Sequence, residues 1–155
     1  MVDPVAELVA IERIKALKAR YFRCLDTKDW AAWAEVFAED AVLEFDLAVS
    51  TRGRDGRPAP RLVGRAAIVE TVAGRNAAST TVHHGHTPEI AVLSETEARG
   101  IWAMEDILRH PEGKRSPAGF SFLHGYGHYH ETYVRTEAGW RIKSVRLTRL
   151  YVESQ

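Results

Sequence analysis

Apolar positions recur every three or four residues at the start of the chain and every second residue through its last half. Leu8, Ile11, Ile14, Leu17, Tyr21 and Leu25 follow the first spacing, with Lys and Arg between them, and predict a helix over residues 5–26. The run Asp26-Thr27-Lys28-Asp29 interrupts it. Asp29 is placed to cap a second short helix whose apolar stripe is Trp30, Trp33 and Phe37. Residues 41–46 alternate, which predicts a first strand. Residues 48–63 are rich in arginine and hold Gly53, Gly56, Pro58 and Pro60, the chemistry of a mobile loop. Gly64 precedes a third helix over residues 65–73, with Gly74 placed to end it.

From Thr80 onward the spacing predicts long strands. Residues 80–93 and 97–109 read as a hairpin around Ser94-Glu95-Thr96. A loop with Pro111, Gly113, Pro117 and Gly119 follows, then a second hairpin, 120–136 with 140–152, turning at Glu137-Ala138-Gly139. Three helices and then four long antiparallel strands is an α+β layout. A strongly twisted sheet of such strands can curl around the helices and leave a cavity.

Composition narrows the function. The 155 residues suffice for one domain, residues 1–155, and no linker or repeat divides them. Lys+Arg and Asp+Glu both number 21. That balance argues against a nucleic-acid partner, which favours a basic surplus, and against a membrane surface, which favours a basic amphipathic face. The lone Cys24 cannot form an intramolecular disulfide and reads as a buried structural thiol in a reducing compartment. With no secretory leader or long apolar run in view, the expected setting is cytoplasmic. All seven histidines fall between His83 and His130, so this half of the chain is where a polar site is expected.

Several segments together resemble the NTF2-like superfamily, and within it the SnoaL-like and scytalone dehydratase-like branch. They are Tyr21-Phe22-Arg23-Cys24-Leu25-Asp26-Thr27-Lys28-Asp29-Trp30, Phe37-Ala38-Glu39-Asp40-Ala41-Val42, Gly64, His83-His84, Gly100-Ile101-Trp102 and Gly139-Trp140-Arg141-Ile142. The resemblance covers nearly the whole chain. It implies a cone: three N-terminal helices packed on a strongly curved antiparallel sheet, with a homodimer or higher homo-oligomer as the assembly. It also implies a dyad in which an Asp at the end of the first helix orients a strand His that removes a proton beside a carbonyl. Asp26 and His83 match those two positions. Leu25 and Trp102 stand where the scytalone dehydratases carry a Tyr and a second His, so their specific substrate does not transfer.

The residues allow more than one arrangement around this dyad. On a regular strand His84 and His86 share a face and His83 points the other way, which would set His84 beside Trp102, Met104 and Asp106. A bulge at Gly85 or Pro88 would bring His83 to that face instead, so His83 and His84 both stand as candidates. His128 and His130 share one face of their strand, and the resemblance points them inward to bind substrate oxygens, with Tyr129, Glu131 and Tyr133 outside. Tyr21, Phe45, Trp102 and Met104 are the expected apolar walls, with Trp102 free to stack on a flat ligand. Asp106 is either a second acid or base or a hydroxyl anchor. Trp30, Trp33 and Trp140 read as core. The His-x-His pairs lack the wider ligand spacing of a metal centre, so neither metal nor cofactor is expected.

The expected activity is that of a lyase or isomerase acting, without a cofactor, on a hydrophobic, cyclic small molecule. Two alternatives stand beside it. One is a non-catalytic ligand-binding or structural module, like the small subunit of ring-hydroxylating dioxygenases. The other is a cyclase or ketosteroid isomerase-like enzyme with a carboxylate base.

Overall fold

Asp3 opens the first helix by accepting a hydrogen bond from the Ala6 amide at 2.9 Å. The computed structural model describes residues 3–49 and 61–155, with side chains to residue 45 and from residue 61 onward. Helix α1 spans Pro4–Asp26 and α2 spans Trp30–Ala34, the latter capped by Asp29 on the Ala32 amide as its sequence suggests. Strands β1 (Phe37–Val49) and β2 (Arg61–Val63) precede α3 (Arg65–Asn76). Then come β3 (Thr80–Val92), β4 (Glu97–Arg109), β5 (Phe122–Thr136) and β6 (Gly139–Ser154).

The α+β cone holds, with local corrections. Phe37 begins β1 rather than extending the stripe of α2, because the chain turns at Glu35 and pairs with β6 from Phe37 onward. The expected loop 48–63 contains the end of β1 and all of β2, while residues 50–60 lie outside the described residues. Gly74 does not end α3. The helix runs through it to Asn76, whose side chain bonds back to the Val72 carbonyl, and Ala77 is the cap.

The six strands form one curved sheet in the order β2-β1-β6-β5-β4-β3. Neighbours are antiparallel except β1 and β6, which run parallel, a pairing the sequence pattern does not announce. Its concave face meets α1 over a core that includes Ile14, Leu17, Cys24, Trp33, Phe37, Ile68, Trp140 and Ile142. Cys24 is fully buried and Trp140 nearly so, as expected of structural side chains. No helix among the described residues is long and apolar enough to cross a membrane.

Register decides which residues face the cavity. Residues directly opposite one another on neighbouring strands share a face. Asp106 of β4 lies opposite His83 on one side and Gly125 on the other, and Trp102 lies opposite Tyr129. The inward row on β5 is therefore Tyr129, Glu131 and Tyr133, all buried, while His130 is exposed on the outer face. This reverses the expectation for His128 and His130. On β3 the pairing slips between Gly85 and Pro88, and this bulge is what brings His83 to the same face as Trp102. Gly85 admits it closely, since a Cβ there would lie 2.6 Å from the Phe22 ring.

A polar chain runs through the core. Lys18 and Glu131 form an ion pair with both side chains at zero exposure. Glu131 also accepts the Tyr133 hydroxyl at 2.5 Å, and Tyr133 in turn accepts the Trp102 indole N–H at 2.8 Å. The ammonium of Lys18 sits 4.0 Å and 3.9 Å above the Tyr21 and Tyr129 rings, adding cation–π stabilisation. Burial depresses the Lys18 pKa, and Glu131 partly offsets that. Removing one partner would strand the other as a buried charge. Lys18→Met should destabilise the fold by about 3–5 kcal/mol. Adding Glu131→Gln should recover much of that loss, read as the denaturation midpoint of each variant.

Candidate active site

Asp26 is the last residue of α1, a poor place for an anion because the helix dipole ends negative there. Three donors on β3 offset this. The His83 amide donates to Oδ2 at 2.8 Å, and the Thr81 hydroxyl donates to Oδ1 at 2.9 Å. The His83 ring lies with Nδ1 2.6 Å from Oδ1. Behind them Lys28, in a left-handed conformation with φ 62°, donates its ammonium to the Thr81 oxygen at 2.6 Å. Burial alone would raise the Asp26 pKa. The hydrogen bonds and charge from His83, with the Thr81 hydroxyl, outweigh it and hold the carboxyl below its ordinary value.

An ionised carboxylate only accepts, so the proton of this contact belongs to His83 Nδ1. The lone pair is then on Nε2. His83 is 9% exposed and lines a cavity of about 420 Å³ beneath the sheet. Tyr21, Leu25, Leu43, Phe45, Tyr129 and Leu147 supply much of its wall.

Asp106 also reaches this cavity, but as half of an ion pair. Arg149 of β6 grips it with both terminal guanidinium nitrogens, at 2.5 Å and 2.7 Å. Gly125 makes room for the pair, since a Cβ there would stand 2.3 Å from the guanidinium. Burial lowers the Arg149 pKa and Asp106 more than restores it, so the net shift is upward. The expectation of a lone acid or hydroxyl anchor at 106 gives way to a paired carboxylate.

The remaining candidates divide. Tyr21 and Phe45 line the cavity as expected. Trp102 and Met104 are buried on the inward face without lining it: the Trp102 indole is committed to Tyr133, and Met104 packs 3.9 Å from Arg149. His84 is on the outer face, 58% exposed, because the bulge gives its place to His83. There Glu105 accepts from His124 at 2.7 Å and lies 3.8 Å and 3.9 Å from His84 and His86. Among the described residues no three such side chains are arranged to hold a metal ion.

Sequence reasoning missed Thr81 and Lys28 behind the dyad, Tyr129 in the wall, Arg149 on Asp106, and His110 at the end of β4. Tyr129 and Arg149 are signalled only by register. Burial raises the pKa of both Tyr21 and Tyr129, with nearby carboxylates adding to the shift, so both phenols stay protonated at neutral pH.

Comparison with known proteins places the fold. The Gibberella zeae protein named Probable cyclase FGR4 is 27% identical over 143 residues, which cover 89% of each chain. A structure described as that of a candidate scytalone dehydratase from Novosphingobium aromaticivorans superposes with a TM-score of 0.74 at 26% identity, covering 96% of this chain and 89% of that one. Rv3472, a Mycobacterium tuberculosis protein of unknown function, gives a TM-score of 0.71 at 29% identity, over 95% of this chain and 76% of that one. Residues 6–146 match the family model of the SnoaL-like domain. With a helix-bound carboxylate, a strand histidine and a cavity inside the cone, the chain belongs to the SnoaL-like domain family of the NTF2-like superfamily.

Proposed function

We propose that the protein is a lyase or isomerase that removes a proton from carbon beside a carbonyl of a hydrophobic cyclic substrate. The observation that carries this reading is the Asp26–His83 contact, with His83 at the wall of an open cavity. A structural module has no use for an imidazole so oriented, and a filled core would leave it no substrate. The cyclase and dehydratase names of the relatives support the same class of chemistry.

His83 Nε2 takes the proton as the C–H pair moves into an enolate. Asp26 keeps the proton on Nδ1 and stabilises the imidazolium that forms. The enolate oxygen is met by Tyr21 and Tyr129, phenols that remain O–H donors. In a dehydration the imidazolium returns the proton to the departing hydroxyl, so water leaves and a C=C bond remains. Asp106 is the base of the carboxylate alternative, and its bidentate pair with Arg149 argues against that role. The wall of Leu25, Phe45 and Leu147 suits a hydrocarbon ring.

A β-hydroxytetralone tests the chemistry, since loss of water gives a naphthol with a strong absorbance change. His83→Ala and Asp26→Asn should each lower its turnover by about 10²–10⁴-fold while each variant still unfolds in one cooperative transition. Full activity in both variants would overturn the mechanism.

Asp26 also sets a pH dependence. Its carboxyl is held below the ordinary aspartate value of about 3.9, so the ionised form stabilises the fold. That contribution is complete above the unfolded-state value and disappears as pH falls through the lower folded-state value. The stability gap between wild type and Asp26→Asn should therefore be constant near neutrality and narrow below pH ~4, as read from urea midpoints across pH.

A further inference from the structure

The cavity has a second polar pole that the dyad does not use. His110, just past the end of β4, lines it. Its Nδ1 lies 2.9 Å from the hydroxyl of buried Ser79, and the Phe120 ring rests against it at 5.6 Å between centroids. The backbone holds it too, through its amide on the Ser121 carbonyl at 2.8 Å. Nε2 is buried and makes no hydrogen bond. A buried imidazole nitrogen left unsatisfied is costly, so its place in a rigidly held ring calls for a partner from the cavity.

His110 and His83 belong to one inward-facing row. His83 lies opposite Asp106, and His110 follows Asp106 by four residues, one position beyond the end of β4. At strand rise that offset is about 13 Å of backbone. Leu108 lies between the two poles on β4, and Phe120 and Leu123 also line the cavity, so apolar side chains stand between the two histidines. One end of the cavity meets an oxygen beside the reacting carbon. The other is lined by His110, whose buried Nε2 lacks a partner, and Arg75, Asn76 and Ser116 also contribute to the cavity wall.

Building on the proton-abstraction reading, we propose that His110 is a substrate-binding residue. It hydrogen-bonds an oxygen at the far end of an elongated apolar ring compound whose reacting carbonyl lies at His83. The substrate class is thus narrowed to ring systems longer than a single ring, with an oxygen at each end. Ser79 positions His110 by occupying Nδ1, which keeps Nε2 turned to the ligand.

The test compares two probes of equal length, para-phenylphenol and para,para′-biphenol, titrated against tryptophan fluorescence. Wild type should bind the biphenol about tenfold more tightly, the increment of one buried hydrogen bond. His110→Leu should abolish that preference while leaving phenylphenol affinity within about twofold. Ser79→Ala, a milder change that keeps the ring, should reduce the preference and shift the His110 ring resonances in the free protein. His83→Gln should weaken both probes alike and preserve their ratio. The ratio therefore reports on His110, whereas turnover of the tetralone reports on the dyad. Equal binding of the two probes by wild type, failure of both to bind, or a preference that survives in His110→Leu would each overturn the proposal. None of these outcomes would touch the turnover result at His83.

Discussion

The carboxylate of Asp26 is the point at which helix and sheet become one object. It terminates α1, where the dipole disfavours it, and is held there by two N–H groups and a hydroxyl from β3. These bonds set the height of α1 over the sheet and the rotation of the His83 ring together. The same contact thus closes the cone and fixes the tautomer of the imidazole inside it. The orientation of the imidazole and the packing of helix on sheet are not separable at this position, because one carboxyl oxygen serves both.

Much of the fold could be read from spacing. The three- and four-residue steps of Leu8 to Leu25 mark α1, the Asp29 cap marks α2, and the two hairpins follow from alternation and turn residues. The α1–β3 dyad was legible only through likeness to a family, since nothing local says that residue 26 meets residue 83. Register was legible only in part: Gly85 and Pro88 suggest the bulge that turns His83 inward, whereas nothing local marks the inward face of β5. A slip of one position inverts every side chain of a strand, and the bulge between Gly85 and Pro88 does so in the middle of β3. Without it His84 would have held the pocket. On β5 the His128-x-His130 spacing was correctly read as one face, but which face depends on Tyr129 lying opposite Trp102. Arg149 and His110 were invisible for a related reason: each acquires its meaning from a partner 43 or 31 residues away.

The interior charges follow a consistent rule. Lys18 meets Glu131, Arg149 meets Asp106, and Asp26 meets His83, so every buried or half-buried carboxylate of this group has a donor fixed upon it. Two pairs are spent on structure, which leaves one imidazole with a committed nitrogen on one side and a free lone pair on the other. Trp102 belongs to the structural half. It completes the Tyr133–Glu131–Lys18 chain and so keeps the rings of Tyr21 and Tyr129 propped over the ammonium. The departure at this position from the family's histidine is accommodated by a change in the core, and the cavity wall stands in front of it.

The parallel pairing of β1 with β6 bears on how the molecule is made. An N-terminal helix and strand emerge early during synthesis, yet β1 finds its ladder partner only after residues 142–149 have appeared. Lys18 likewise waits for an anion 113 residues downstream. Until then one edge of β1 lacks its ladder partner, although Trp33 and Phe37 already cover Tyr21 of α1. The β3–β6 meander, whose contacts are between sequence neighbours, can assemble as a template on which β1 completes its ladder.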